Sequence, residues 1–199
     1  MIERRTLLLG GSALAAFVAS PAWARKAGDP WAKAQEIVRG IQHPRIGKRK
    51  LRLEPPADGV IRGAIIAAME RLGAKGGTIV LPKGEWTSNG PIHFKSRIGL
   101  HVPEGTHLKF SRDPDHYLPM VFTRWEGTEC WNYSPLIYAH GATDIAITGK
   151  GTIDGQGFEG FFIWRPKQRD SQQLLRKMGA EGVPVSERRF GPGHFLVSY

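Results

Sequence analysis

The sequence predicts an all-β solenoid entered through short helices, and three observations carry that prediction. After Gly77 the chain becomes a succession of short apolar runs punctuated by Gly, Pro, Asn and Asp, each run too short for a comfortable helix. Several runs alternate apolar and polar residues with period two, so that one face is buried. Two connections recur. Arg97-Ile98-Gly99-Leu100 is echoed by Thr143-Asp144-Ile145-Ala146-Ile147, and Gly105-Thr106-His107-Leu108 by Gly151-Thr152-Ile153-Asp154. Self-similar strands and tight turns are what a β-solenoid requires, because each coil buries its inward side chains only by stacking on its neighbours. A β-sandwich gives a similar texture and is the alternative that pattern alone leaves open.

The first 24 residues read as an address. Arg4 and Arg5 form a positive start, an apolar stretch follows over 7–18, and Pro21-Ala22-Trp23-Ala24 offers a cleavage site. The stretch is shorter than the ~20 residues that span a bilayer, which disfavours a retained anchor. Arg-Arg followed by Thr6-Leu7-Leu8 resembles a twin-arginine signal, with Glu3 departing from the usual pattern. The expectation is export to the periplasm or beyond, with a mature domain over 25–199 that starts near Arg25 and has no stable membrane anchor.

In the body, Trp31, Ile37, Val38 and Ile41 fall at helical spacing, predicting a short packing helix closed by Pro44. A second helix is predicted over 63–72, with Asp58 upstream as a cap or turn former and Gly73 and Gly76-Gly77 ending it. The strand runs are Thr78-Ile79-Val80-Leu81, Ile92-His93-Phe94, Ile98-Gly99-Leu100-His101-Val102 and His107-Leu108-Lys109-Phe110. They resume as Leu136-Ile137-Tyr138, Asp144-Ile145-Ala146-Ile147 and Thr152-Ile153. Residues 158–164 read as aromatic core with one exposed edge, and 165–181 as a polar helical insertion.

Composition narrows the function. About 41% of the residues are hydrophobic, enough for a core. The chain has 28 Lys and Arg against 18 Asp and Glu, and the leader contributes only Glu3, Arg4 and Arg5, so the body is basic. A basic body attracts polyanions or simply stays soluble. The densest cluster, Arg45, Lys48, Arg49, Lys50 and Arg52, sits in no recognisable nucleic-acid module, so no nucleic-acid partner is expected. One cysteine, Cys130, makes no intrachain disulfide and reads as a packed small residue.

A resemblance then enters on specific residues. Gly76-Gly77-Thr78-Ile79-Val80-Leu81-Pro82-Lys83-Gly84 resembles the opening coil of pectinase β-helices. The likeness continues through Gly90-Pro91-Ile92-His93-Phe94-Lys95-Ser96, Leu100-His101-Val102-Pro103-Glu104-Gly105-Thr106 and Phe110-Ser111-Arg112-Asp113-Pro114. It runs on through Thr123-Arg124-Trp125-Glu126-Gly127 and Asn132-Tyr133-Ser134-Pro135-Leu136-Ile137-Tyr138-Ala139. Its last block is Ile147-Thr148-Gly149-Lys150-Gly151-Thr152-Ile153-Asp154-Gly155-Gln156-Gly157. In that order the blocks resemble the N-terminal third or so of the polygalacturonase-like enzymes of glycoside hydrolase family 28. The resemblance implies a right-handed parallel β-helix of the pectin-lyase-like type. It also implies hydrolysis of α-1,4-galacturonosyl linkages in pectin with inversion, by one carboxylic acid and one carboxylate flanking a water. The implied partner is an acidic pectic polysaccharide or oligogalacturonide, and no cofactor or metal is implied.

The family's Asn-x-Asp, Asp-Asp and Gly-His-Gly elements are not found here, so no catalytic residue is assigned. Gly193-His194-Phe195 lacks the second glycine, and Asp154 reads as a turn residue bonding local backbone. The expectation is a chain truncated before its catalytic aspartates, with an open coil end that is poorly soluble alone. The candidate substrate contacts are Arg124, Trp125, Glu126, Asn132 and Tyr133: flat rings for sugars, a guanidinium fork for a uronate carboxylate, and polar groups for hydroxyls. The competing reading is a packed insertion whose aromatics face the core. Two other functions stay in play. A non-catalytic β-helix could bind acidic glycan, whereas a pectate lyase would need a Ca²⁺-binding Asp cluster that the sequence lacks. The sequence leaves the oligomeric state open.

Overall fold

The computed structural model describes residues 29–196, so the expected leader over 1–24 lies outside the described residues. The chain divides into two compact units at Gln42. In the first, helix α1 (Pro30–Gly40) starts where the Asp29 side chain accepts the Trp31 N–H at 3.0 Å, with proline in the first turn. The helix lies where its spacing placed it, and Trp31, Ile37, Val38 and Ile41 form an apolar stripe on it. Helical spacing reveals an apolar stripe and is silent on what covers it.

The second unit holds the strands. Four strands form one parallel ladder: β1 (Lys50–Arg52), β2 (Gly77–Val80), β5 (Ile98–Val102) and β10 (Ala146–Gly149). A second parallel ladder joins β3 (Gly84–Ser88), β6 (Thr106–Phe110) and β11 (Thr152–Asp154). A third pairs β4 (Ile92–His93) with β9 (Ile137–Tyr138). Consecutive strands therefore visit the ladders in turn, β2-β3-β4, then β5-β6-β9, then β10-β11. An antiparallel hairpin, β7 (Val121–Trp125) and β8 (Thr128–Asn132), is inserted between β6 and β9, and β12 (Arg189–Phe190) runs parallel to β8.

Register decides the core. Ile79, Leu100 and Ile147 are opposite one another in the first ladder, Trp86, Leu108 and Ile153 in the second, Ile92 and Ile137 in the third. Ile79, Leu100, Leu108 and Ile92 are fully buried, each contributing about 1.5–3 kcal/mol. Helix α2 (Arg62–Leu72) closes one side by burying Ile65, Ala68, Met69 and Leu72, a stripe at helical spacing. Asp58 forms the preceding turn, accepting the Val60 N–H at 3.0 Å, while the helix itself has no side-chain cap.

The expected strand runs each overlap a strand, whereas β1, β3, the hairpin and β12 were not among them. The second echo is offset by one residue from its expected pairing, since Thr152 faces His107 and not Thr106. The turn between β5 and β6 has three residues and that between β10 and β11 has two, and β11 begins opposite the second residue of β6. The insertion α3 (Arg169–Ala180) is the polar helix expected there. The aromatic segment before it is more open than expected. Trp164 is buried, but Phe158, Phe162 and Ile163 are exposed, because the segment is a 3-10 turn with side chains on all sides. Among the described residues no helix is long and apolar enough to cross a membrane.

Candidate functional site

The hairpin shows why side chains adjacent in sequence end in different places. Its turn, Glu126-Gly127, has positive φ at both residues (43° and 89°), as a two-residue hairpin loop requires. Strand alternation then sorts the side chains. Trp125, Cys130 and Asn132 point inward and are buried with Leu175, Phe190 and Leu196. Phe122, Arg124, Glu129 and Trp131 occupy the other face, as the pairs Phe122↔Trp131 and Arg124↔Glu129.

That outer face continues into the third ladder as a chain of flat rings. Arg189 lies 5.7 Å from the Trp131 ring, Trp131 is edge-on to Phe122 at 6.3 Å, and Phe122 is edge-on to His140 at 5.1 Å. His140 lies parallel to Tyr138 within 8°, with centroids 6.4 Å apart, and Tyr138 contacts His93 at 5.0 Å. The Tyr138 hydroxyl donates to the Phe122 carbonyl at 2.8 Å, locking ladder to hairpin. His93 Nε2 lies 2.9 Å from the Ser134 hydroxyl. Its pKa is held below the ordinary imidazole value, first by desolvation and then by the Arg62 charge, which favours the neutral ring. Half-buried rings of Trp131, Phe122 and Tyr138, with exposed His93 and His140 beside them and Arg189 over Trp131, suit a ligand with flat apolar faces and negative charge.

The five contact residues expected from sequence do not form one site. Trp125 is 6% exposed and Asn132 fully buried, so neither is placed to touch a ligand. The Asn132 amide donates to the Leu196 carbonyl at 3.1 Å, and its oxygen accepts the Tyr133 N–H at 2.8 Å. Tyr133 lines a cavity of about 400 Å³ with Tyr117, Leu136, Ile153 and Trp164, an apolar space without a charged side chain. Glu126 is bound to Arg176. Arg124 stays exposed, paired with Glu129 at 3.3 Å, and with Arg176 and Arg188 lines a polar recess of about 340 Å³ at the hairpin tip. The competing reading, an insertion with core-facing aromatics, describes Trp125, whereas Trp131 and Phe122 lie half-buried on the other face. The missed signal was period two, which puts residues 122, 124 and 129, 131 on one face once the turn is fixed at 126–127.

The remaining chemistry-bearing groups are spoken for. Asp154 accepts the Gln156 N–H at 2.7 Å, the turn role expected of it, and lies 3.2 Å from His107 Nε2. The Gln156 bond, and then His107 and Lys109, hold its pKa below the usual carboxylate range against a smaller desolvation effect. Burial pushes the Cys130 thiol up to about 11, which suits a packing residue and not a nucleophile. Among the described residues no group of three or more His, Cys, Asp or Glu is arranged to hold a metal ion.

Comparison with solved structures gives the relationship. The fold matches a hyperthermoactive exopolygalacturonase from Thermotoga maritima with a TM-score of 0.75 and 37% identity over 81% of this chain. The chain is polygalacturonase-like. It spans 40% of the length of that enzyme's chain. A protein from Parabacteroides merdae ATCC 43184, provisionally named a glycosyl hydrolase, aligns at 18% identity and TM-score 0.45, covering 62% of this chain and 52% of its own. No family model and no curated protein matches the chain. The chain is mostly strands with some short helices, and its likeness to the exopolygalacturonase agrees with the resemblance read from its motifs.

Proposed function

We propose that this protein acts in the hydrolysis of α-1,4-galacturonosyl linkages of pectin with inversion, as an exported polygalacturonase-type glycosidase. Its strands are read as successive coils of a right-handed parallel β-helix. The observation that carries the reading is the 37% identity to an exopolygalacturonase across 81% of this chain. The three parallel ladders support the coil reading, and the leader over 1–24 supports action in the periplasm or outside the cell. The aromatic face supports an acidic sugar ligand, with Trp131 and Tyr138 offering ring surfaces and Arg189 a charge for a uronate carboxylate. The chain contains no Asp-Asp and no Asn-x-Asp, so the share of the reaction assigned to its own residues is holding the glycan.

That absence favours a second reading, a β-helix that binds acidic glycan without cleaving it. The test titrates trigalacturonate and uncharged maltotriose against the full chain and against Trp131→Ala, and follows new reducing ends by NMR. Trigalacturonate binding that falls about tenfold in the variant, with release of β-anomeric ends, supports the hydrolase. The same binding with no release supports the second reading. Equal affinity for maltotriose, or no binding of either sugar, defeats both.

A further inference from the structure

The corner where the chain enters the first ladder collects cations that the aromatic face does not use. The Arg49 guanidinium donates to the Arg71 carbonyl at 3.3 Å, and the Arg49 carbonyl accepts the Thr78 N–H at 2.8 Å. Gly47 lies so close to Lys75 that an added Cβ would sit 2.4 Å from its carbonyl oxygen, and Gly76 presses on Arg97 in the same way, at 2.2 Å. Arg45 is tied in through its N–H, which donates to the Asp144 carboxylate at 2.7 Å. These contacts bring Arg45, Arg49, Arg71, Lys75 and Arg97 to one corner, with Lys48 beside Arg49, and all six side chains are exposed.

Among the described residues none of these six is in an ion pair, whereas Lys95, Lys109, Arg112, Arg124, Arg176 and Lys177 each have a carboxylate. The nearby acids are engaged elsewhere, Asp144 with the Arg45 backbone and Glu70 with Lys95 at 2.7 Å. A second observation concerns Arg97 itself. It has φ +65°, stacked between Gly76 at +67° and Asp144 at +56°. Glycine and aspartate tolerate that conformation, and arginine is strained in it. A cation is thus held at a position that local backbone preference would give to Gly, Asn or Asp.

We propose that this corner is a docking surface for a long polyuronate chain, separate from the aromatic face and engaged only by ligands long enough to reach both. The proposal rests on the acidic-glycan reading above. The corner presents charge without rings, since residues 44–53, 71–77 and 95–97 hold no aromatic side chain, which suits a polymer recognised by its repeating carboxylates and not by stacked bases.

The test measures affinity of the full chain for long polygalacturonate and for trigalacturonate at low salt, using the triple variant R49E/K75E/R97E. K150E, at the turn on the far side of β10, is the control. The triple variant is expected to lose about tenfold or more on the polymer and nothing on the trimer, with K150E unchanged. Arg97→Asn, which keeps the left-handed turn, is expected to raise the melting temperature while weakening polymer binding about twofold to threefold. Unchanged polymer affinity in both variants overturns the proposal, as does an equal loss on trimer and polymer. Tighter binding of duplex DNA than of polygalacturonate at matched salt overturns the choice of partner. Trimer binding that still depends on Trp131 while the corner variants behave as wild type refutes the corner alone, whereas no binding of either glycan refutes the underlying reading too.

Discussion

Three Gly→Ala substitutions separate backbone conformation from close packing at the coil corners. Gly59 has φ +73° and nothing within 4 Å of an added Cβ, so Gly59→Ala costs only the left-handed conformation, about 1–2 kcal/mol. Gly76 has nearly the same φ, but its Cβ would sit 2.2 Å from the Arg97 carbonyl oxygen and 2.5 Å from the Arg97 Cβ. That carbonyl accepts the Gly77 N–H at 2.9 Å, so moving it breaks a ladder bond. Adding ~1–3 kcal/mol for the lost bond and ~1–3 for overpacking puts Gly76→Ala at about 3–8 kcal/mol. A domain of ordinary stability has about 5–15 kcal/mol in all, so this one methyl group comes close to unfolding it. Gly63, in the first turn of α2 with open space around it, is expected to gain about 0.5 kcal/mol as alanine. Urea unfolding followed by tryptophan fluorescence ranks the three. A Gly76→Ala loss within 1 kcal/mol of the Gly59→Ala loss would show that the ladder corner yields freely, and the packing argument would be wrong.

Asn132→Ala strands the Leu196 carbonyl and the Tyr133 N–H and is expected to cost about 2 kcal/mol or more, with no change in trigalacturonate affinity if the chain still folds; a selective affinity loss would restore Asn132 to the ligand site. Cys130 is expected to resist alkylation at neutral pH in the native chain and to react on denaturation, and stoichiometric labelling of the folded protein would contradict its burial. His93 is expected to titrate in NMR below the free imidazole value. Its folded pKa is depressed, so its contribution is full above about pH 6.5 and is lost as pH falls from there through the folded value. A midpoint at or above 6.5 would remove that contribution.

The strand runs were legible because each is a short apolar segment bounded by turn residues, and each lies in a ladder. Strand β3 was missed because Gly84-Glu85-Trp86-Thr87-Ser88 has one large apolar residue, and only the pairing Trp86↔Leu108 marks it as a strand. Strand β1 was hidden by its charges, being read as a basic cluster although Leu51 lies opposite Ile79. The faces of the hairpin were not legible at single-residue scale. Trp125 and Trp131 look alike in sequence, and the two-residue turn at Glu126-Gly127 sends one into the core and the other onto the surface.

By itself, the sequence determined what depends on local pattern and motif order: a β-rich chain with short helices, the places of most strands, the kinship to polygalacturonases, and the packed state of Cys130. Tertiary structure alone decided what depends on register. One-residue differences in turn length shift a strand against its neighbour and turn every side chain to the other face. That is why the rings from His93 to Trp131, drawn from four strands and a loop, form one surface that no stretch of sequence displays. It is also why cations from β1's approach, α2's end and the turn before β5 meet at one corner: the contacts that gather them join residues far apart in sequence, up to the 99 positions between the Arg45 N–H and the Asp144 carboxylate.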